Sequence, residues 1–264
     1  MAVSDVGSLY GEAAGGWASG AELVYQPLAH ALVAASPVAL RDRWVLDAGA
    51  GTGAGTRALV AARARPVAVD LALAMVRHNR ASRPPAIVAD VTRLPIRAAT
   101  FDAAIAPFVL NHLDRPVDAL RELCRVVMPG GAVLASTFGA DRSAVKDHVD
   151  DVLAQHGWRA PEAYAWMKDH TVDLLASADR MACAAGAGGL VEVQVTDAAI
   201  PVGISSPRDL VKYRFGMAHV ASFLASLDPA ERAVVAAEAE QAVSAAHDGS
   251  DLAPSVVVLA ARVP

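Results

Sequence analysis

Three short stretches, each closing an apolar run, carry the residue types best suited to chemistry. The first is Asp47-Ala-Gly-Ala-Gly-Thr-Gly, which sets Gly49, Gly51 and Gly53 behind the run Trp44–Leu46 and ahead of a helical pattern. Glycine there tolerates positive φ and has no Cβ to block a ligand. The helix N-terminus behind it favours electronegative groups. Asp70 closes the second run, 19 residues beyond Gly51, where a carboxylate can accept from both hydroxyls of a ribose. Asp90 closes the third run and is placed to accept from an exocyclic amine of adenine. Together the three motifs describe a nucleoside cradle without saying which nucleoside. Gly49-x-Gly51-x-x-Ala54 also fits the dinucleotide fingerprint, and each aspartate could simply cap the next helix.

Further along, His112 comes after a fourth apolar run in PFVLNHLDRP. An imidazole titrates close to neutral pH, so His112 is the candidate general base, or else a pocket residue. Tyr213, Arg214 and His219 form a later cluster that could line a substrate pocket, with Arg214 pairing an anionic group. Trp158, Tyr164, Trp166 and Met167 could add an apolar wall, and Tyr10, Trp17 and Tyr25 a lid whose ring faces attract a cation. Tyr164-xxx-Lys168, with Ser143 upstream, has the spacing of a dehydrogenase pair. No metal is expected: two cysteines cannot build a cage, and no HExxH spacing occurs.

The elements that must position these residues alternate. Apolar runs at 44–49, 66–70, 85–90, 101–108 and 131–138 are separated by helical patterns, which argues for a parallel sheet covered on both faces. A helix is expected over 23–40, loosely attached, with Pro27 in its first turn. After Gly139 the rhythm breaks into helices, a strand at 190–200, more helices over 206–247, and a closing strand at 254–263. Asp228-Pro229 reads as the N-cap and first residue of a helix. The chain has 264 residues, 54% apolar and 19% charged, with a net charge of −5. That balance argues against nucleic acid as a partner. No apolar run reaches the ~18 residues of a membrane span, no signal peptide is visible, and the cysteine count fits the cytoplasm. Lysine occurs only at positions 146, 168 and 212, a bias read as genome composition.

VLDAGAGTG (45–53), Asp70 in VAVDLALAMV, ADVTRLPI (89–96), FDAAIAPFVLNHL (101–113) and ELCRVVMPGGAVLAST (122–137) resemble the successive motifs of class I S-adenosylmethionine-dependent methyltransferases. The resemblance is strongest to the small-molecule group that includes the ubiquinone and menaquinone methyltransferases. It implies a Rossmann-like doubly wound α/β sheet of seven strands, order 3-2-1-4-5-7-6 with the last strand antiparallel, plus helical cap insertions. It implies S-adenosylmethionine as cofactor and S-adenosylhomocysteine as product. Asp47, Gly49, Gly51 and Gly53 would hold the methionine part and Asp70 the ribose. Leu71 and Met75 would pack near the adenine or ribose, Asp90 and Val91 would read the adenine edge, and Ala106 and Pro107 would border the sulfonium. The expected organisation is a helical lid at 1–40, a core at 41–139 and 176–264, and cap insertions at 140–175 and 203–248. The expected activity is methylation of a small organic molecule in secondary metabolism, with a homodimer left open. The alternatives are a protein that binds the cofactor structurally and steers a reaction such as cyclisation, or an NAD-dependent oxidoreductase.

Overall fold

The structure, a computed structural model, describes residues 9–11, 13–140 and 145–264. Ser143 and part of the expected N-terminal lid lie outside the described residues. Seven strands form one sheet in the order β3-β2-β1-β4-β5-β7-β6: β1 (Trp44–Ala48), β2 (Arg65–Asp70), β3 (Ala86–Val88), β4 (Phe101–Pro107), β5 (Val127–Phe138), β6 (Val191–Ala199) and β7 (Ser255–Arg262). The first five run parallel, and β7 is antiparallel to both β5 and β6. The expected order and the single reversed strand are both present.

The strand order reverses between β1 and β4, which opens a crevice at their carboxyl ends. Asp47 of β1 is in register with Ala68 of β2 and Ile105 of β4. The N–H groups of Gly49 and Ala50 both donate to the Val69 carbonyl at 2.9 Å. The glycine loop therefore leaves β1 still tied to β2, which brings it beside Asp70. β3 is shorter than the apolar run suggests, three residues instead of six, because it is the sheet edge and its side chains are largely solvated.

Helices cover both faces. On one side α1 (Glu22–Ala34), α2 (Ala54–Ala61), α5 (Val145–Gln155) and α10 (Pro229–Ala246) bury Leu28, Leu32, Leu59, Leu153, Val235 and Val243 against the sheet. On the other, α4 (Pro116–Val126) turns Pro116, Ala119, Leu120 and Leu123 inward. That i, i+3, i+4, i+7 stripe suits a helix with one buried face, and each leucine buried there contributes about 1.5–3 kcal/mol. α7 (Ala178–Ala187) packs beside it through Met181 and Ala185. α10 opens as its sequence indicates: Asp228 accepts from the Ala230 and Glu231 N–H groups, and Glu231 returns a bond to the Asp228 N–H.

Two expectations about the N-terminal region fail. The helix starts earlier, running from Ala14 through a π-helical stretch at Trp17–Ala21 into α1, so Pro27 lies inside it. It is also firmly attached. Arg57 of α2 pairs with Glu22 at 2.6 Å and donates to Gln26 at 2.7 Å, and the Thr52 hydroxyl donates to Glu22. Polar bonds between long-range partners had no signature in the hydrophobic pattern. The remaining helices, α3 (Leu73–Arg77), α6 (Glu162–His170), α8 (Pro207–Phe215) and α9 (Ala218–Ser226), complete the carboxyl side of the sheet. A Cβ on Gly20 would strike the Lys212 carbonyl and Gly216, so the N-terminal helix crosses the end of α8 backbone to backbone.

Candidate functional site

The crevice holds a cleft of about 800 Å³, part of it open to solvent. Its floor is the glycine loop. Gly49, Gly51 and Gly53 have φ of 70°, 53° and 108°, the left-handed region that side chains disfavour. A Cβ on Gly49 would sit 2.5 Å from the Val109 side chain, so only glycine lets the loop pass that close. A Cβ on Gly51 would point at open space, its nearest neighbour the Trp17 indole nitrogen at 4.0 Å.

Asp70 and Asp90 supply the acid side of the cleft. Asp70 accepts from the Gly51 N–H at 2.7 Å and the Ala72 N–H at 2.8 Å, so it ties the loop to the start of α3. Burial raises its pKa, opposed by those backbone donors. Asp90 accepts from the Thr92 N–H and hydroxyl through one oxygen. Both aspartates therefore make the local turn bonds of a capping residue and also face the cleft. Leu71, Met75, Val91 and Pro107 complete the wall beside them.

Aromatic rings close the opposite side. Tyr10 meets Trp17 edge-on at 5.4 Å, Trp17 lies 4.8 Å from Tyr25, and Tyr25 meets Phe108 edge-on at 5.2 Å. Phe108 has a φ of 55°, a strained value for a non-glycine residue. That turn ends β4 and directs Val109 through His112 inward. His112 stands between the Tyr10 hydroxyl, 3.3 Å from Nε2, and the Met167 sulfur, 2.8 Å from Nδ1. Burial lowers its pKa to about 4. No Lys or Arg lines the cleft among the described residues.

A second cavity of about 1320 Å³, also partly open, lies beyond Tyr10, Tyr25 and His112, which line both. Tyr213, Arg214 and His219 line it as the sequence suggested, and so do Tyr164 and Met167. Arg214 does not stand ready for an anion. It is 4% exposed and forms a two-pronged pair with Asp150, Nε to Oδ1 at 2.7 Å, so its charge is already matched within the protein. Trp166 is not in the cavity. On α6, Tyr164, Met167 and Lys168 share the inner face at i, i+3, i+4, and Trp166 stacks on His170 instead. The Tyr164–Lys168 pair is far from dehydrogenase use: Tyr164 stacks flat on His219, at 3.7 Å and 5°.

Asp47, Gly53 and Ala106 do not line the cleft wall. Asp47 is 0% exposed beneath the loop, accepting from the Thr56 hydroxyl at 2.6 Å, with Oδ1 unpartnered among the described residues. Burial pushes its pKa up to about 6, offset in part by Thr56 and Arg83. Arg83 donates to the Gly51 and Met75 carbonyls, strapping the loop to α3. Asn111, Phe138, Lys146 and Asp150 belong to the second cavity and were missed. One signal was available: two of the chain's three lysines, Lys146 and Lys168, face that cavity.

Comparison with known proteins gives concordant matches. A family model described as a methyltransferase domain matches residues 46–135. A malonyl-acyl-carrier-protein O-methyltransferase of Halorhodospira halophila is 40% identical over 112 residues, 40% of this chain and 38% of that protein. A demethylmenaquinone methyltransferase of Mycolicibacterium paratuberculosis is 33% identical over 155 residues, 54% of this chain and 67% of that protein. The alignments thus span from 38% to 67% of these relatives' length. Among solved structures, the cyclase SpnF superposes with a TM-score of 0.54 at 20% identity, covering 90% of this chain and 81% of that one. That likeness is one of fold.

Proposed function

The chain belongs to the class I S-adenosylmethionine-dependent methyltransferases, and we propose that it methylates a small organic molecule in secondary metabolism, releasing S-adenosylhomocysteine. The observation that carries the reading is the character of the cleft. Two strand-end carboxylates and the four rings of Tyr10, Trp17, Tyr25 and Phe108 line it, with no cationic side chain among the described residues. A sulfonium and an ammonium suit such a lining through charge and cation–π attraction. The pyrophosphate of NAD would face two acids with no cation on the wall to pair with it among the described residues, Arg83 lying behind the loop on the Gly51 and Met75 carbonyls, which counts against the oxidoreductase reading.

In this reading Gly49, Gly51 and Gly53 admit the methionine part. Asp47 fixes the loop from beneath, and Asp70 takes the ribose hydroxyls. Leu71 and Met75 pack on the adenine or ribose, Asp90 and the Val91 backbone read the adenine edge, and Pro107 borders the sulfonium with Ala106 behind it. Bound there, the cofactor supplies an electrophilic methyl carbon whose leaving group is a neutral thioether. The chain's contribution is to align the acceptor and exclude water. Residues 1–40 act as the lid, and residues 140–175 and 203–248 as the cap over the acceptor. His112, held neutral and with both nitrogens engaged, orients the acceptor at the junction of the two cavities. A pKa near 4 makes it a weak proton acceptor at neutral pH. The net charge of −5 supports a small molecule over nucleic acid, and the two free cysteines support a cytoplasmic setting.

Calorimetric titration tests this. S-adenosylmethionine and S-adenosylhomocysteine are expected to bind in the micromolar range and NAD not to bind; binding of NAD alone overturns the reading. The weak base at the junction also favours a second reading, in which the cofactor is structural and the cavity steers a proton-neutral cyclisation. Product mass separates the two: a gain of one methyl supports transfer, an unchanged mass supports cyclisation.

A further inference from the structure

Beyond the partition of Tyr10, Tyr25 and His112, the second cavity contains two polar side chains whose bonding capacity is unused. Asn111 is 9% exposed and His219 is 5% exposed. Asn111 Oδ1 and His219 Nε2 are shielded from solvent and have no hydrogen-bond partner among the described residues. Both residues line the cavity. A buried polar atom left unsatisfied costs about 1–3 kcal/mol, so two in one cavity mark where a ligand's polar groups belong.

The surroundings narrow the ligand's shape. The Tyr164 ring lies on the His219 imidazole at 3.7 Å and 5°, which fixes the plane of the histidine. The Trp158 indole N–H donates to the His219 carbonyl at 3.2 Å and holds the same residue from behind. Phe138, Met167 and Met217 supply apolar surface in the cavity, two of them adaptable thioethers. A flat apolar ring fits that lining.

The charges narrow its chemistry. Three cations, Lys146, Lys168 and Arg214, and two carboxylates, Asp147 and Asp150, line the cavity; with Arg214 and Asp150 matched to each other, the two lysines against Asp147 leave the lining net positive. The Lys146 ammonium sits 4.8 Å over the Phe138 ring and the Lys168 ammonium 5.9 Å over the Tyr164 ring. Burial, and then Arg214, Lys168 and Lys146 in that order, lower the pKa of His219 and keep it neutral. The same positive field stabilises negative charge on a ligand oxygen beside it. A hydroxyl acidic enough to use that field belongs to a phenol or an enol, whereas an amine would be disfavoured.

We infer that the second cavity is the acceptor site for a flat phenol or enol, and that Asn111 and His219 recognise two separate oxygen functions on it. The inference rests on the proposed methyl transfer for the fate of the bound molecule, and not for its binding.

The test uses 4-nitrophenol and nitrobenzene, which differ by one hydroxyl, titrated into the full chain with and without S-adenosylhomocysteine. The phenol is expected to bind about fivefold to a hundredfold more tightly, the equivalent of 1–3 kcal/mol. Bound phenol should also develop phenolate absorption at a pH where the free probe is protonated. His219→Phe, which keeps the stack on Tyr164, should erase most of the preference, whereas Asn111→Leu, which removes an acceptor for a second and protonated hydroxyl, should erase the further gain of 4-nitrocatechol over 4-nitrophenol. Their affinity for S-adenosylhomocysteine should stay unchanged, which also reports that they fold. Equal binding of 4-nitrophenol and nitrobenzene, a preference that survives His219→Phe, a catechol gain that survives Asn111→Leu, or bound phenol that stays protonated overturns the inference. If S-adenosylhomocysteine binds but the preference is absent, this inference falls and the methyl-transfer reading stands. If the preference is present but S-adenosylhomocysteine does not bind, the reverse holds.

Discussion

The glycine-loop cleft and the cavity beyond it share Tyr10, Tyr25 and His112, yet they are assembled differently. The cleft takes its polar features from consecutive strand ends and from backbone geometry: positive φ at Gly49 and Gly51, and N–H groups held by Asp70. The cavity takes its features from side chains on distant segments, from Tyr25 on α1 to Leu252 near β7. One is a property of loops set on a rigid sheet. The other exists only once helices from distant segments have packed. Damage should therefore spread differently: a change in the cleft should act on the cofactor, and a change in the cavity on the fold of the cap.

The largest expected effect lies on the cap side. Arg214→Met leaves Asp150 without its two-pronged partner, and breaking a buried pair from one side costs about 3–5 kcal/mol. Urea unfolding should show that loss, and a loss below 1 kcal/mol (about one ordinary hydrogen bond) would mean the pair does not hold the cap together. Asp70→Ala comes next and should act on the cleft alone. Losing a charged acceptor is worth about 1.5–3 kcal/mol, or roughly tenfold to a hundredfold in S-adenosylhomocysteine affinity. Calorimetry would break the comparison if 4-nitrophenol binding fell with it.

A pH experiment sharpens the contrast from the side of the loop. Asp47 has a folded pKa of about 6 against an ordinary 3.8, raised first by burial. The folded state therefore holds this proton more tightly than the unfolded chain does. Asp47 contributes stability below the ordinary value, and that stability is lost as pH rises through about 6. Asp47→Asn keeps an acceptor for Thr56 without the charge. The variant should gain on the wild type across that window, by about 3 kcal/mol once pH has passed its upper end. Thermal melts at several pH values check this, and a gain independent of pH excludes the titration as its cause.

The smallest effect is expected at the shared wall. With a pKa lowered to about 4 by burial, His112 should leave turnover flat through the usual imidazole range, with any acid limb near pH 4. His112→Gln should lower kcat by about fivefold, the ~1 kcal/mol of one hydrogen bond, without altering S-adenosylhomocysteine affinity. A limb at the ordinary imidazole pKa would restore the general-base role.

Much of the fold was legible because strands and loops of this kind are written locally. Short apolar runs ending in Gly-rich or Asp-terminated turns placed six strands to within a few residues, and Asp228-Pro229-Ala-Glu231 spelled out its own cap. β3 was overestimated because an edge strand and a buried one share the same apolar run. Of the expected cofactor residues, those on the cleft wall come from strand ends, the glycine loop and, for Met75, the start of α3, and Asp47, Gly53 and Ala106 do not line it. A period-2 pattern indicates which face a side chain takes but not what stands in front of it. On the cap, Arg214 was expected to be available and is paired with Asp150, 64 residues away. Trp166 was expected in the pocket, and the rotation of α6 chose Tyr164 and Met167.

The sequence by itself determined the alternation of strands and helices, the glycine loop with its two acids, and the family. These depend on φ preferences, hydrophobic period and capping, which act between residues a few positions apart. Only the tertiary structure decided that the N-terminal helix is bolted to the loop through Glu22 and Arg57. It also decided that α5, α6, α8 and α9 line a second, partly open cavity, and that Asn111 Oδ1 and His219 Nε2, on residues lining it, have no partner among the described residues. Those outcomes depend on which distant side chains meet and which are left over. That is settled by packing across the whole chain, because the cost of burying a polar group is set by neighbours its own segment does not contain.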